Sequence, residues 1–138
     1  MLVVDVGANI GEFSLDILQN TQGTNVIAIE PNVSLVNNAL QSIVEKYSGR
    51  FQVISKAITR HEGKVKLFSS EINNGQLASL FQINEKANWN PYIKNKIGMQ
   101  TLNEFQIVES ISVASLVEHN EIKEIDFLKI DTQGSDLD

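Results

Sequence analysis

The chain has 138 residues, enough for one domain with a single core and too few for two ordinary domains. Hydrophobic residues make up 42% and charged residues 20%, no apolar run approaches the ~20 residues of a membrane-spanning helix, and the net charge of -6 opposes binding to a phosphate backbone. We therefore expect a globular protein with neither membrane nor nucleic acid as a partner, and the absence of cysteine makes a cytoplasmic location the default.

The first part of the chain alternates strands and helices. Buried apolar runs predict strands at Leu2 to Val6, Asn25 to Ile29 and Phe51 to Ile54. Between them, apolar residues at helical spacing predict one helix that ends in the polar stretch 19–23 and a second that ends at residues 48–49. This order predicts an α/β fold with a doubly wound, mainly parallel sheet, in which right-handed crossovers give the spatial order third, second, first.

The middle of the chain is less regular. Ala57 to Thr59 and Lys64 to Phe68 flank a His-Glu-Gly turn and are interpreted as a β-hairpin. The polar segment Ser69 to Met99 is longer than the ~12 to 15 residues usual for structureless loops. We expect it to be a substrate-covering lid, a partly disordered segment, or a region with a short helix.

The last part of the chain returns to the sheet. Gln106 to Val113 alternates well enough to predict a strand, and Ala114 to Asn120 indicates a short helix. Ile125 to Ile130 is predicted to be a fourth buried parallel strand of the main sheet.

The run V-V-D-V-G-A-N-I-G at residues 3–11 sends an apolar strand into a tight turn that opens a helix. Its glycines let the backbone pass close to a ligand, and Asp5 lies at the carboxyl end of the strand, where open parallel sheets hold ligands. A dinucleotide fingerprint counted from Gly7 needs glycine where Asn9 and Glu12 stand, which disfavours NAD. The alternative is a structural turn that binds no cofactor.

Glu30 follows the second predicted strand about twenty residues after the turn. At this place a carboxylate accepts hydrogen bonds from both ribose hydroxyls of an adenosine cofactor. The alternative is a solvated glutamate beside the turn residue Pro31.

The glycine turn and the acidic residue after the next strand resemble the first two motifs of the S-adenosylmethionine-dependent methyltransferases. The stretches V-D-V-G-A-N-I-G at residues 4–11 and I-D-F-L-K-I-D-T-Q-G at residues 125–134 are similar to the FkbM family of methyltransferases. The resemblance implies a Rossmann-like fold, S-adenosyl-L-methionine as cofactor, and methylation of hydroxyls on polyketides, sugars and related small metabolites. The donor-binding residues that follow from it are Asp5, Gly7, Ala8, Asn9 and Gly11 at the amino acid end, Glu30 at the ribose, and Lys56 and Ala57 beside the adenine.

Asp131 ends the fourth predicted strand, which lies next to Gly7 in a doubly wound sheet. We expect it to face the methyl group and the acceptor as a candidate general base, while Gln133 and Gly134 complete the motif and orient the acceptor. The alternative for Asp131 is the N-cap of a following helix. Amino methyltransferases carry an Asn/Asp-Pro-Pro-Tyr/Phe loop after this strand, and its absence here favours an oxygen acceptor.

The resemblance covers only part of the family's domain, so residues 1–138 are expected to be the donor-binding part of a methyltransferase domain truncated after its fourth core strand. That strand would then be an exposed edge, which a missing carboxyl-terminal half or an oligomeric partner would cover. The rival hypothesis is a non-catalytic module that serves assembly or cofactor binding. His61 and His119 are isolated and predict no metal site.

Overall fold

The computed structural model describes residues 1–69, 78–80 and 105–132. The strands are β1 (Leu2–Val6), β2 (Asn25–Ile29), β3 (Phe51–Ile54), β4 (Ala57–Ile58), β5 (Gly63–Ser69), β6 (Ala78–Ser79), β7 (Phe105–Ile111) and β8 (Phe127–Ile130). The helices are α1 (Glu12–Asn20), α2 and α3 (Val113–His119), where α2 runs through Val33–Leu35, a π-helical turn at Val36–Leu40, and Gln41–Lys46. Among the described residues, no helix is both long and apolar enough to cross a membrane.

The main sheet is fully parallel, in the order β3-β2-β1-β8. The predicted α/β class, the spatial order and the bounds of the first three strands are confirmed. β8 begins at Phe127, two residues later than predicted, and the prediction that it is buried is wrong, because Phe127, Leu128 and Ile130 are each about half exposed. In the described part of the chain β8 pairs only with β1.

A second sheet has the order β4-β7-β5-β6. The predicted hairpin between residues 57–59 and 64–68 is wrong, because β4 and β5 each pair with β7 and not with each other. The pairing with β7 buries Ala57, Leu67 and Val108 in one cluster. Burial of apolar side chains therefore selects a strand partner that is distant in sequence, which local alternation does not reveal.

Both faces of the main sheet are covered at β1 and β2, whereas most of β8 is exposed. Helices α1 and α2 pack on one face, around a cluster that includes Val3, Leu18 and Leu40. The other face packs against α3 and the end of β7, through Ile111 and Leu116. The carboxyl ends of β1, β2 and β8 stay uncovered by these layers, and this is where a doubly wound sheet binds its ligands.

Arg50 binds the carboxyl end of α1. Its guanidinium donates to the carbonyl oxygens of Thr21 at 2.8 Å and Leu18 at 3.1 Å. These carbonyls lie at the carboxyl end of the helix, where intrahelical partners are missing, so Arg50 links the end of α1 to the start of β3.

Of the predicted excursion at Ser69 to Met99, the structure describes only residue 69 and residues 78–80. β6 pairs antiparallel with the end of β5. The lid, disorder and short-helix interpretations lie outside the described residues.

Candidate functional site

The turn after β1 is held in a left-handed conformation at three positions. Gly7 has φ 75°, Asn9 has φ 56° and Gly11 has φ 85°. A Cβ added to Gly7 would overlap the carbonyl oxygen of Asp131 and lie 2.8 Å from its carbonyl carbon. Gly7 is therefore required both for its backbone angle and for the close approach of the chain after β8.

Gly11 has a different neighbour. An added Cβ would lie 2.5 Å from Cδ1 of Ile43 and 2.7 Å from Cδ2 of Leu40, both in α2. Gly11 also stands immediately before the first residue of α1. It lets α1 and α2 pack closely and lies outside the cavity lining, so its predicted donor contact stays a prediction.

Four of the five backbone N–H groups of the turn are used inside the protein. Their hydrogen bonds run from Gly7 to Ile29 O at 2.9 Å, from Ala8 to Ile29 O at 3.1 Å, from Asn9 to Glu30 Oε2 at 2.8 Å, and from Gly11 to Ala8 O at 2.8 Å. A phosphate-binding turn instead directs such N–H groups at its ligand. The engagement of these four amides disfavours a pyrophosphate at this turn.

Glu30 is the buried acid of the site, with 5% of its surface exposed. Its Oε2 accepts from the Asn9 amide at 2.8 Å, and its Oε1 accepts from the Asn32 amide at 2.9 Å. Burial raises the pKa of Glu30 above its usual range; the two backbone hydrogen bonds oppose that shift, Asp5 adds to it and Lys129 weakens it. Each carboxylate oxygen keeps acceptor capacity, because an ionised carboxylate offers about four lone-pair sites.

Asp5 lies beneath the turn, with its side chain fully buried. Its Oδ2 accepts from the Ser14 hydroxyl at 2.7 Å, and its Oδ1 accepts from Lys129 Nζ at 3.0 Å. Asp5 is not among the residues that line the cavity, and its role in donor binding stays a prediction.

Lys129 was not among the predicted site residues. Its Nζ donates to Asp5 Oδ1 and, at 3.3 Å, to the carbonyl oxygen of Gly7, and it lies 5.7 Å from the ring centroid of Phe13. A sequence signal exists, because D-x-G ends β1 and K-x-D ends β8. Once Gly7 is placed level with Asp131, the parallel register puts Lys129 beside Asp5.

A cavity of about 320 Å³ opens at the carboxyl ends of the parallel strands, a volume at the lower end of the range for small-molecule sites. The structure brings seven of the predicted site residues to its wall: Gly7, Ala8, Asn9, Glu30, Lys56, Ala57 and Asp131. The second sheet and its neighbouring turn add wall residues that the sequence did not indicate, namely Ile58, Leu67, Ser79 and Leu80. Gln133 and Gly134 lie outside the described residues.

Asp131 stands at the mouth of this cavity. Its amide donates to the Val6 carbonyl oxygen at 3.0 Å, which continues the β1–β8 ladder by one step. Its side chain is exposed and contributes to the cavity wall. Whether it also caps a helix depends on residues beyond 132, which lie outside the described part.

Groups of three or more side chains able to hold a metal ion are absent from residues 1–69, 78–80 and 105–132. His119 Nε2 lies 3.8 Å from Glu62 Oε1, and both side chains are about half exposed. This contact is a surface pair.

The sequence was compared with known proteins. The model of the methyltransferase FkbM domain matches residues 5–138, which include the glycine turn, Glu30 and β8. Neither the curated proteins nor the solved structures gave a match. Because the family match spans nearly the whole sequence, the chain belongs to the FkbM methyltransferase domain family.

Proposed function

We propose that this domain binds S-adenosyl-L-methionine and transfers its methyl group to a hydroxyl of a small molecule such as a metabolite, a polyketide or a sugar. Membership of the FkbM methyltransferase domain family supports methyl transfer. The identity of the donor and the type of acceptor rest on the geometry of the site and on the sequence after β8.

The observation that carries the proposal is the fixed carboxylate of Glu30. Two backbone amides hold it in the cavity wall at the end of β2, at 2.8 and 2.9 Å. Its remaining lone pairs form a bidentate acceptor, which matches the vicinal diol of a ribose. The carboxylate is buried, and in the described part of the chain no cationic side chain forms a direct ion pair with it. A ligand with two hydroxyl donors would complete its hydrogen bonding.

The glycine turn supports a nucleoside without a pyrophosphate. Four of its five amides donate to Ile29, Ala8 and Glu30 and not to a ligand. Glu12 also lines the cavity at the start of α1 and would repel a phosphate. Both features distinguish this site from one for NAD.

The wall beyond Glu30 suits a flat base. Lys56 and Ala57 line it after β3, and Leu35 and Ile58 add apolar surface. The Lys56 ammonium lies 3.5 Å from Glu109 Oε2, so its charge is engaged on the second sheet. We assign this wall to the adenine.

The donor, when bound, supplies an electrophilic methyl group on a sulfonium sulfur. The contribution of the protein is to align the acceptor oxygen with that methyl group, because a direct displacement gains most from positioning. Asp131 lies on the opposite side of Gly7 from Glu30 and lines the same cavity. We assign it to binding the acceptor hydroxyl and accepting its proton.

The oxygen acceptor is supported by the residues after β8. Asp131 and Thr132 are followed by Gln133 and Gly134, without the two prolines and the aromatic residue of amino methyltransferases. A carboxylate accepts a hydrogen bond from a hydroxyl and can take its proton as the new bond to carbon forms.

Calorimetry tests the donor. S-adenosylhomocysteine is expected to bind the protein and NAD is expected to give no heat. Glu30→Gln should weaken S-adenosylhomocysteine by about 1.5–3 kcal/mol, because a charged hydrogen bond to the ribose is lost. Glu124→Gln, in an exposed loop, is the matched control for charge and should bind like the wild type.

If the protein binds NAD and does not bind S-adenosylhomocysteine, the proposed donor is wrong. If Glu30→Gln binds S-adenosylhomocysteine as tightly as the wild type, Glu30 is not part of the donor site. Methyl-labelled donor incubated with a metabolite extract tests the reaction. Label recovered in a new methyl ether, at the oxygen of a former hydroxyl, supports the proposal. Donor binding with no transfer would favour the non-catalytic module.

A further inference from the structure

Lys129 presents a cation to the cavity from the side opposite Glu30. Its Nζ donates to Asp5 Oδ1 at 3.0 Å and to Gly7 O at 3.3 Å, and a quarter of its side chain is exposed. An ammonium has three N–H donors. Within the described part of the chain these two acceptors use two of them, and the third remains for a ligand in the cavity that Lys129 lines.

The neighbouring carboxylate does not reach this cavity. The Asp5 side chain is fully buried, and both of its oxygens are bonded, one to Ser14 and one to Lys129. A ligand at this wall therefore meets the ammonium of Lys129 and not the carboxylate of Asp5. Asp5 orients the ammonium and the carbonyl of Gly7 steadies it.

Five charged residues line the cavity, and two of them, Glu30 and Lys129, lie on opposite sides of β1. Glu30 follows β2 and Lys129 lies in β8, and these strands flank β1 on opposite sides. Their separation is two strand spacings, roughly 10 Å. A single ligand with hydroxyl donors at one end and an anionic group at the other would match this polarity.

We propose that Lys129 binds the carboxylate at the amino acid end of the donor. The proposal rests on the proposed function, since it assigns one end of the same ligand. A carboxylate accepts a charge-assisted hydrogen bond from an ammonium, which is stronger than a neutral one. The loss of one such bond corresponds to roughly a ten- to hundredfold lower affinity.

The test compares S-adenosylhomocysteine with its analogue in which hydrogen replaces the carboxylate. The wild type is expected to bind S-adenosylhomocysteine at least tenfold more tightly than the analogue. Lys129→Gln should lose that preference and leave the affinity for the analogue unchanged. Lys123→Gln, at an exposed position, removes the same charge and should keep the preference.

Asp5→Asn distinguishes the role of Asp5 from that of Lys129 in ligand binding. It keeps the hydrogen-bonding shape beside Ser14 and leaves the Lys129 charge in place, so the preference for the carboxylate should persist. If Asp5 instead bound the ammonium of the ligand, Asp5→Asn would weaken both ligands equally. The double variant Asp5→Asn/Lys129→Gln leaves no uncompensated buried charge and should lack the preference even if Lys129→Gln alone fails to fold.

The outcomes distinguish this proposal from the proposed function. Equal affinity of the wild type for the two ligands would overturn the role of Lys129 and leave the donor site intact. An equal loss for both ligands in Lys129→Gln would reduce Lys129 to a structural partner of Asp5. Failure of the wild type to bind either ligand would overturn the proposed function itself.

Discussion

Among Gly→Ala substitutions at the described glycines, Gly7→Ala is expected to lower the free energy of unfolding the most. Alanine at φ 75° costs about 1–2 kcal/mol, because the left-handed conformation crowds its Cβ. The new carbon would also lie 2.8 Å from the carbonyl carbon of Asp131. Carbon atoms pack best at about 3.5–4.0 Å, so the backbone after β8 would have to move by roughly 1 Å.

Two other glycines separate the two costs. At both Gly49 and Gly23 an added Cβ would meet nothing within 4 Å. The two differ in backbone conformation, because Gly49 has φ 84° and the φ of Gly23 lies outside the left-handed region. Gly49→Ala should therefore cost only the conformational term of about 1–2 kcal/mol. Gly23→Ala should lie within about 1 kcal/mol of the wild type. Gly7→Ala adds an overpacking cost of about 1–3 kcal/mol, for a total of about 2–5 kcal/mol.

Urea unfolding followed by far-ultraviolet circular dichroism measures all three variants. The difference between Gly7→Ala and Gly49→Ala isolates the contact with Asp131, since both share the backbone penalty. If Gly7→Ala costs no more than Gly49→Ala, the close approach of β8 to the turn is not a constraint on the fold. In that case the placement of Asp131 beside Gly7 would be refuted as well.

Three further predictions concern other parts of the molecule. The raised pKa of Glu30 means that the native state binds its proton more tightly than the unfolded chain, so its contribution to stability is largest below the usual value of 4.5 and falls as the pH rises through the raised pKa. The unfolding free energy of the wild type relative to Glu30→Gln should accordingly decrease from pH 4.5 upward, and a pH-independent difference would contradict the burial of a charge there. Arg50→Met should cost about 1–3 kcal/mol in urea unfolding, because the carbonyls of Thr21 and Leu18 lose a charged donor, whereas Arg50→Lys should recover only part of that loss. Asp131→Asn should bind S-adenosylhomocysteine normally and slow methyl transfer at saturating donor by about 10²-fold, and transfer at the wild-type rate would leave Asp131 with a structural role only.

Local patterns in the sequence predict much of this fold. The apolar runs at 2–6, 25–29 and 51–54 match β1, β2 and β3, because a strand buried on both faces needs uninterrupted apolar residues. The glycine turn and Glu30 were predicted from their positions after β1 and β2, since the carboxyl ends of parallel strands meet at one edge. The handedness of the crossovers then left only one order for these strands.

The second sheet could not be predicted in the same way. Residues 57–69 look like a hairpin because two short alternating segments flank a turn, yet β7, some forty residues further on, inserts between them. Pairing between distant strands depends on which apolar faces can be buried together, and that is a property of the assembled core.

The α/β order, the turn at Gly7 and the acid at Glu30 could be predicted from the amino-acid sequence, because each follows from the periodicity and spacing of neighbouring residues. Three further features emerged with the folded chain: Lys129 lies beside Asp5, Ile29 and Glu30 accept hydrogen bonds from amides of the turn, and β7 pairs between β4 and β5. These contacts join residues brought together by strand register and by burial in a shared core, which no local stretch of sequence specifies.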